Sequence, residues 1–334
     1  MEAVSLQHWR LTNEHMTLEV QSLGGMIGPC LARLGERTVS PLAVAPWADE
    51  PEAAGLPPIL RRLRGEWPCV PFGITQPVEL FPPRHRTQDT RLDGVIDNSE
   101  AHGYGSNNHW ACLDKGDDWI ELAIDYPETS SVRRLRRRIA LAADVARIDL
   151  ELGVEVRDSC RLPLGLHPVL ALADEAGQCV LRPGRFVSGR TYPIRFEPSS
   201  RLAVDAAFDD LSRVPQNDGS TIDLTRLPLT EKREELVQLH GVDGCFTLLN
   251  RSKGYRAVLQ WNPDHFPSCI LWISNRGRDA YPWLSRHLAI GIEPTCSFFD
   301  LNPSMAPDAL HAFASGENWR TAYSLTIGEL ENRP

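Results

Sequence analysis

Along residues 147–157, "RIDLELGVEVR", apolar and polar positions alternate one for one. Ile148, Leu150, Leu152, Val154 and Val156 share one side, and mostly charged or small residues the other. A period of two is that of a half-buried antiparallel strand. Similar short stretches recur at 16–23, 119–126, 245–252, 255–261, 269–275 and 288–294, and each predicts a strand. Turn residues separate them: "NRSKGY" (250–255) predicts a hairpin connection. One segment predicts a short helix. In "LTEKREELVQL" (229–239) Thr230 can cap, and Glu231, Glu234 and Glu235 stand near the positive N-terminal end. Many short strands, with 26 prolines and 24 glycines spread among them, predict an all-β fold of the β-sandwich type with few short helices. No break resembles a linker. The Pro/Ala-rich "APWADEPEAAGLPPI" (45–59) reads as a long loop within a single domain spanning 1–334.

Composition narrows the function classes. The 334 residues are 42% hydrophobic and 24% charged, ordinary for a globular protein with a large core. No apolar run approaches the ~20 residues needed to cross a bilayer, so no membrane association is expected. The N-terminus lacks a basic start followed by an apolar block, which reads as cytoplasmic. Eight cysteines lie at wide, irregular spacing with no C-x-x-C, as expected of scattered reduced thiols. The net charge of −9 argues against nucleic acid as a partner. The local exception, "RRLRRR" (133–138), reads as a solvated strand face plus a turn rather than a phosphate-binding patch.

Cofactor motifs are missing from the sequence. It holds no G-x-x-x-x-G-K-[ST], no G-x-G-x-x-G opening a helix, no H-E-x-x-H and no G-x-S-x-G. No cofactor and no metal are therefore expected; His102 and His109 have no evident third and fourth ligands nearby. Titratable residues in unusual settings carry more. His167 sits in the apolar "LPLGLHP" (162–168), a setting that fits either a satisfied core histidine or a tuned proton donor. His102 sits in the Gly/Asn-rich "AHGYGSNNHW", where backbone can approach a ligand closely, or which is simply a polar turn. Glu293 ends the strand "LAIGIEP" on the side of Gly291 and Ala289, where partial dehydration would raise its pKa toward neutrality, or it is an exposed strand end. Asp243 in "GVDGCF" is a hydroxyl ligand or a turn-forming Asp-Gly, and Arg64 in "LRGEWPCVPFG" a grip on a polyol or phosphate, or a surface ion pair. Together with tryptophans for sugar faces, this set suits proton transfer on a carbohydrate.

Four ordered segments carry a resemblance: "LRGEWPCVPFG" (63–73), "HGYGSNNHW" (102–110), "PLGLHPVLAL" (163–172) and "IGIEPTCS" (290–297), with "MTLEVQSLGGMIG" (16–28) ahead of them. Over about residues 5–330 the chain resembles the aldose 1-epimerase, or galactose mutarotase-like, family. The resemblance implies a large antiparallel supersandwich with a sugar in a cleft on one sheet. It implies Glu293 as general base at the anomeric hydroxyl and His167 as general acid at the ring oxygen. His102 and Asp243 would hold hydroxyls, Arg64 would bind substrate, and the partner would be a small sugar bound by a monomer or homodimer. A histidine near 6.5 and a raised glutamate would form a matched pair. A non-catalytic carbohydrate-binding protein on the same fold is the alternative. Val169-Leu170 stand where the family often has an aromatic pair, and Ser106 where its sugar-phosphate branch usually has arginine.

Overall fold

The computed structural model describes residues 6–74, 100–299 and 310–330. Three antiparallel sheets dominate. A four-stranded sheet runs in chain order through His8–Thr12, Met16–Gln21, Ile27–Leu34 and Arg37–Val39. A nine-stranded sheet centres on Asn318–Glu329 between Tyr255–Trp261 and Arg147–Val156. An eight-stranded sheet centres on Arg233–His240, Ser268–Asn275 and Leu288–Thr295. All the strands expected from alternation are present, the alternating stretch as Arg147–Val156. The hairpin at 250–255 also forms, pairing Asn250 with Tyr255. Helices among the described residues are single turns, at Pro51–Gly55, Pro58–Arg61 and Tyr104–Asn107.

The apolar faces of the sheets share one core. Leu135, Ile148 and Leu150 enter it from the nine-stranded sheet, Leu271, Ile290 and Ile292 from the eight-stranded one, and Leu11 and Leu18 from the smallest. Each such side chain contributes about 1.5–3 kcal/mol by leaving water. The opposite face of the eight-stranded sheet is covered by a second apolar cluster. There Trp47, Trp67, Phe72 and Phe299 come from connecting segments, and Leu236, Ile270 and Trp272 from the strands beneath. The segment 45–59 is thus a packed roof over this face rather than a free loop.

Two expectations are corrected. Residues 233–240 form a strand, not a helix. The strand is central, bonded to Ser188–Thr191 on one side and Ser268–Asn275 on the other. Its glutamates answer to tertiary partners. Glu234 accepts from Trp272 Nε1, Ser274 Oγ and the Gly277 amide, while Glu235 accepts from Ser200 Oγ and the Arg201 amide. Tertiary bonding overrides the local helix propensity. The arginine run, in strand Val132–Leu141, is likewise not wholly solvated. Arg134 pairs with Asp125 and Arg136 with Glu155 on the solvent face, but Arg137 points inward and is fully buried. Its guanidinium meets the Glu66 carboxylate and donates to the Gly25 carbonyl at 2.6 Å, and Tyr323 Oη donates to the other Glu66 oxygen at 2.6 Å.

Removing one member of a buried ion pair leaves an uncompensated charge, which costs about 3–5 kcal/mol. Arg137→Met should lower unfolding stability by that amount in urea titrations, and adding Glu66→Gln should recover part of the loss. A loss under ~1 kcal/mol for Arg137→Met would show that the pair does not hold the sheets together.

Candidate functional site

Alternation along three neighbouring strands builds the floor of a cavity. In the ladder, Ile270 pairs with Glu293, Trp272 with Gly291, and Leu236 with Trp272. Ile290 and Ile292 face the core, so Gly291 and Glu293 face the roof. Gly291 leaves room for Glu293: the Glu293 carboxylate occupies the space that a Cβ on residue 291 would fill, so any larger residue there would have to displace the carboxylate.

His167 reaches the same floor through a gap in the sheet. Gly165–Leu166 and Val169–Ala171 both pair with Leu288–Thr295, and His167-Pro168 lies between these two short ladders. The backbone stays tied: the His167 amide donates to the Trp67 carbonyl at 2.9 Å, and the Ile292 amide to the Pro168 carbonyl at 2.9 Å. The ring stacks on Trp67, with centroids 4.1 Å apart and planes 15° from parallel. Its Nε2 stands 3.4 Å from Glu293 Oε1. Both residues are nearly closed to solvent, at 5% and 3% exposure.

His102 completes this end. Its ring packs edge-on to His167 at 5.1 Å and against Phe72 at 5.1 Å. Its backbone is left-handed, with φ +59°, uncommon for a residue with a side chain and a conformation that clusters at functional sites. Gly103 follows at φ +83°, against the Val70 carbonyl where a Cβ would collide. Asn107 ties the turn by donating to the Ala101 and Gly103 carbonyls and accepting from the Ile59 amide.

The cavity above this floor has a volume of about 400 Å³. His102, His167 and Glu293 line one part of it; Trp67, Trp272 and Trp283 contribute aromatic walls; Phe196, Glu197 and Arg278 line it as well. Such a mostly apolar concavity with a few convergent polar groups is the usual form of a small-molecule site.

Two of the expected site residues do not reach it. Arg64 is buried behind the roof segment, where Nε donates to the Arg62 carbonyl and a terminal nitrogen to the Gly28 carbonyl. The chain bends there: Gly65, at φ +50° against the Ile27 carbonyl, separates Arg64, bridged to Val44, from Glu66, bridged to Ile27, and Trp67 beyond it lines the cavity while Arg64 does not. Asp243 is a turn residue. Its Oδ2 accepts from the Arg185 amide at 2.8 Å, just ahead of strand Cys245–Asn250 in the other large sheet. His109 bonds Ser22 Oγ at 2.8 Å, also outside the cavity.

Several groups escaped the sequence. Trp272 shares a strand face with Ile270, a spacing that could have marked it. Glu234 was hidden by the helix reading, yet it bonds the Trp272 indole and the connection that follows. Arg278 and Trp283 come from the connection "RGRDAYPWLSR" (276–286), dense in arginines and aromatics but without period.

Burial sets the electrostatics. It pushes His167 well below 6.5, with His102 adding to the effect. Burial alone lowers His102 to about 4, and burial followed by Arg278 lowers His287 to about 3. The histidine expected to titrate near 6.5 is therefore neutral at neutral pH. Burial also raises Glu234, against the pull of Arg278 and its hydrogen bonds. Among the described residues, no three His, Cys, Asp or Glu side chains gather to hold a metal ion, and no helix is long and apolar enough to cross a membrane.

No family model and no curated protein matches the chain. Solved structures do. A candidate aldose 1-epimerase from Escherichia coli K12 superposes with a TM-score of 0.67 at 18% identity, covering 98% of this chain and 100% of that one. The GalM/aldose epimerase homologue from C. elegans gives 0.64 at 12%, covering 98% and 100%. A galactose mutarotase related enzyme from Lactobacillus acidophilus gives 0.62 at 13%, covering 98% and 99%. The fold is thus the galactose mutarotase-like β-sandwich.

A base whose folded pKa lies below its unfolded 6.5 binds fewer protons folded than unfolded between the two values. For His102 that window runs from about 4 to 6.5, so stability falls as pH drops through it, by up to about 1.4 kcal/mol per pH unit. Urea midpoints between pH 6.5 and 5 should decline, and His102→Asn should flatten that slope by close to one proton's worth. An unchanged slope in the variant would contradict a neutral, buried His102.

Proposed function

We propose that the protein is an aldose 1-epimerase, interconverting the α and β anomers of an aldose. The observation that carries this reading is the 3.4 Å approach of His167 Nε2 to Glu293 Oε1, both buried in a tryptophan-walled cavity. In a pyranose the anomeric hydroxyl and the ring oxygen are borne by one carbon. An acid and a base that nearly touch can reach both at once, the positioning that general acid–base catalysis needs. The shared fold of structures named for aldose epimerases and galactose mutarotases supports the same reading.

Ring opening moves one proton from the anomeric hydroxyl to the ring oxygen. Glu293 takes the hydroxyl proton as the bond from C1 to the ring oxygen breaks and C1 becomes an aldehyde. The proton that Glu293 takes passes across their contact to His167 Nε2, and the transient imidazolium gives it to the ring oxygen, so His167 starts and ends neutral, as its burial favours. Rotation about C1–C2 presents the other carbonyl face, and the steps run in reverse. Every group ends in its starting state, so the chemistry calls for no metal and no nucleotide. Trp67 stacked on one face of His167 and His102 against its edge hold the imidazole in place.

Polarimetry or NMR of freshly dissolved α-aldoses tests this. The wild type should speed anomer exchange for at least one sugar, and Glu293→Gln and His167→Asn should each lose about 10²–10⁴-fold. Exchange at buffer rate for a panel of aldoses, with binding retained, would instead mark a non-catalytic sugar-binding protein. The pH profile tests the proton inventory. Because His167 is held well below 6.5, kcat/KM should stay level from pH 6.5 to 8 and fall only on the acid side. An alkaline loss with a midpoint near 6.5 would mean that His167 is already an imidazolium in the resting site.

A further inference from the structure

We propose that Arg278 and Glu197 form a second recognition point in this cavity, one that reads two neighbouring hydroxyls on sugar carbons remote from the anomeric centre. The proposal rests on reading the cavity as an aldose site.

Arg278 lies three residues past strand Ser268–Asn275, in the connection to Leu288–Thr295. It is boxed by aromatic rings. Its guanidinium carbon lies 4.5 Å from the Trp283 ring centre, 5.5 Å from that of Trp272 and 5.6 Å from that of Phe196. Its Nε donates to Glu197 Oε1 at 2.8 Å, and a terminal nitrogen faces Glu234 at 3.8 Å. Arg278 and Glu197 both line the cavity. The Trp272 indole connects the two ends: its centre is 6.0 Å from that of His167 and 5.5 Å from the Arg278 guanidinium carbon, with His287 stacked on it and Trp283 at its edge. A sugar ring alongside that indole, with its anomeric carbon at His167 and Glu293, has its remote edge at Arg278 and Glu197.

The chemistry of the pair selects the ligand group. A guanidinium offers a planar fork of donors and a carboxylate offers acceptors. Side by side they complement a vicinal diol, whose hydroxyls can donate to the carboxylate and accept from the guanidinium. The cation is already faced by two carboxylates, Glu197 and Glu234. This end therefore suits neutral hydroxyls better than a phosphate or carboxylate. Its geometry is set before any ligand arrives. Aromatic faces restrict the guanidinium, the Gly277 amide is bonded to Glu234, and Arg286 anchors the far side of the connection to Glu50. The connection also carries left-handed Arg276, Leu284 and Ser285 at φ +59°, +44° and +53°. Strain of that kind in side-chain-bearing residues persists where the surroundings dictate the conformation, as at ligand clamps.

The test uses 1,5-anhydrohexitols, which lack the anomeric hydroxyl and so probe the remote edge without turnover. Dissociation constants for the parent compound and its monodeoxy analogues are measured by NMR titration. The proteins are the wild type, Glu197→Gln and Arg278→Lys, each checked for folding by near-ultraviolet circular dichroism. Hydrogen bonds to charged groups predict that the wild type prefers the parent over two adjacent deoxy analogues by about tenfold or more. In both variants that preference should shrink to about twofold while preferences at other positions persist. Equal weakening of the parent and every analogue in the variants would overturn the proposal, as would a wild type with no preference at remote hydroxyls. If the wild type shows the preference but anomerises no aldose, the reaction reading fails and the recognition point stands. If it anomerises aldoses without the preference, the reverse holds.

Discussion

The strand Leu288–Thr295 can present only one side to the core. Ile290 and Ile292 fill that side, and the alternation then forces Gly291 and Glu293 onto the other. A slip of one residue would exchange the two sets. Ladders on both edges prevent it: Ser268–Asn275 pairs along the whole strand, and Val169–Ala171 pairs on the far side. Burial of two isoleucines thus decides where a carboxylate stands. His167 answers it across the 3.4 Å contact because the second ladder is interrupted there and resumes at Val169.

Buried charge on both sides of this sheet keeps the parts in register. On the core side, Arg137, Glu66 and Tyr323 join the nine-stranded sheet to the segment that carries Trp67, the ring on which His167 rests. On the cavity side, Glu234 gathers Trp272, Ser274 and Gly277, and Ser274 in turn bonds His287. Burying such groups is costly, and they are tolerated because each finds partners. The burial of His102, His167 and His287 also holds them neutral. Neutral imidazoles cost less to bury than imidazolium ions and can still donate from one nitrogen.

Much of this was legible in the sequence. Period-two stretches such as 147–156 became strands because sidedness is a local property of the chain. His167, Glu293 and His102 were marked by their settings and by ordered resemblance, and they meet at one end of the cavity. What escaped depends on partners distant in sequence. Glu234 and Glu235 read as helix because nothing local shows Trp272, Ser274, Ser200 and Arg201 waiting for them. Arg137 read as solvated because its partner lies 71 residues earlier. Arg64 and Asp243 lay in segments that resembled site loops, yet a bridge to Val44 holds Arg64 and a turn bonded to Arg185 holds Asp243 elsewhere. Arg278 belongs to an aperiodic connection, where patterning says nothing about which side chains turn inward.

A second concavity, of about 410 Å³, lies on the solvent face of the nine-stranded sheet among cross-strand pairs such as Arg136 with Glu121 and Glu155. It offers a clear contrast for the most direct test, a crystal structure of Glu293→Gln soaked with an aldose that the wild type binds. The expected result is a pyranose in the tryptophan-walled cavity, its ring oxygen within hydrogen-bond distance of His167 Nε2 and its anomeric hydroxyl beside residue 293. Sugar bound on the outer sheet face, or in the cavity with its anomeric carbon turned away from both residues, would contradict it.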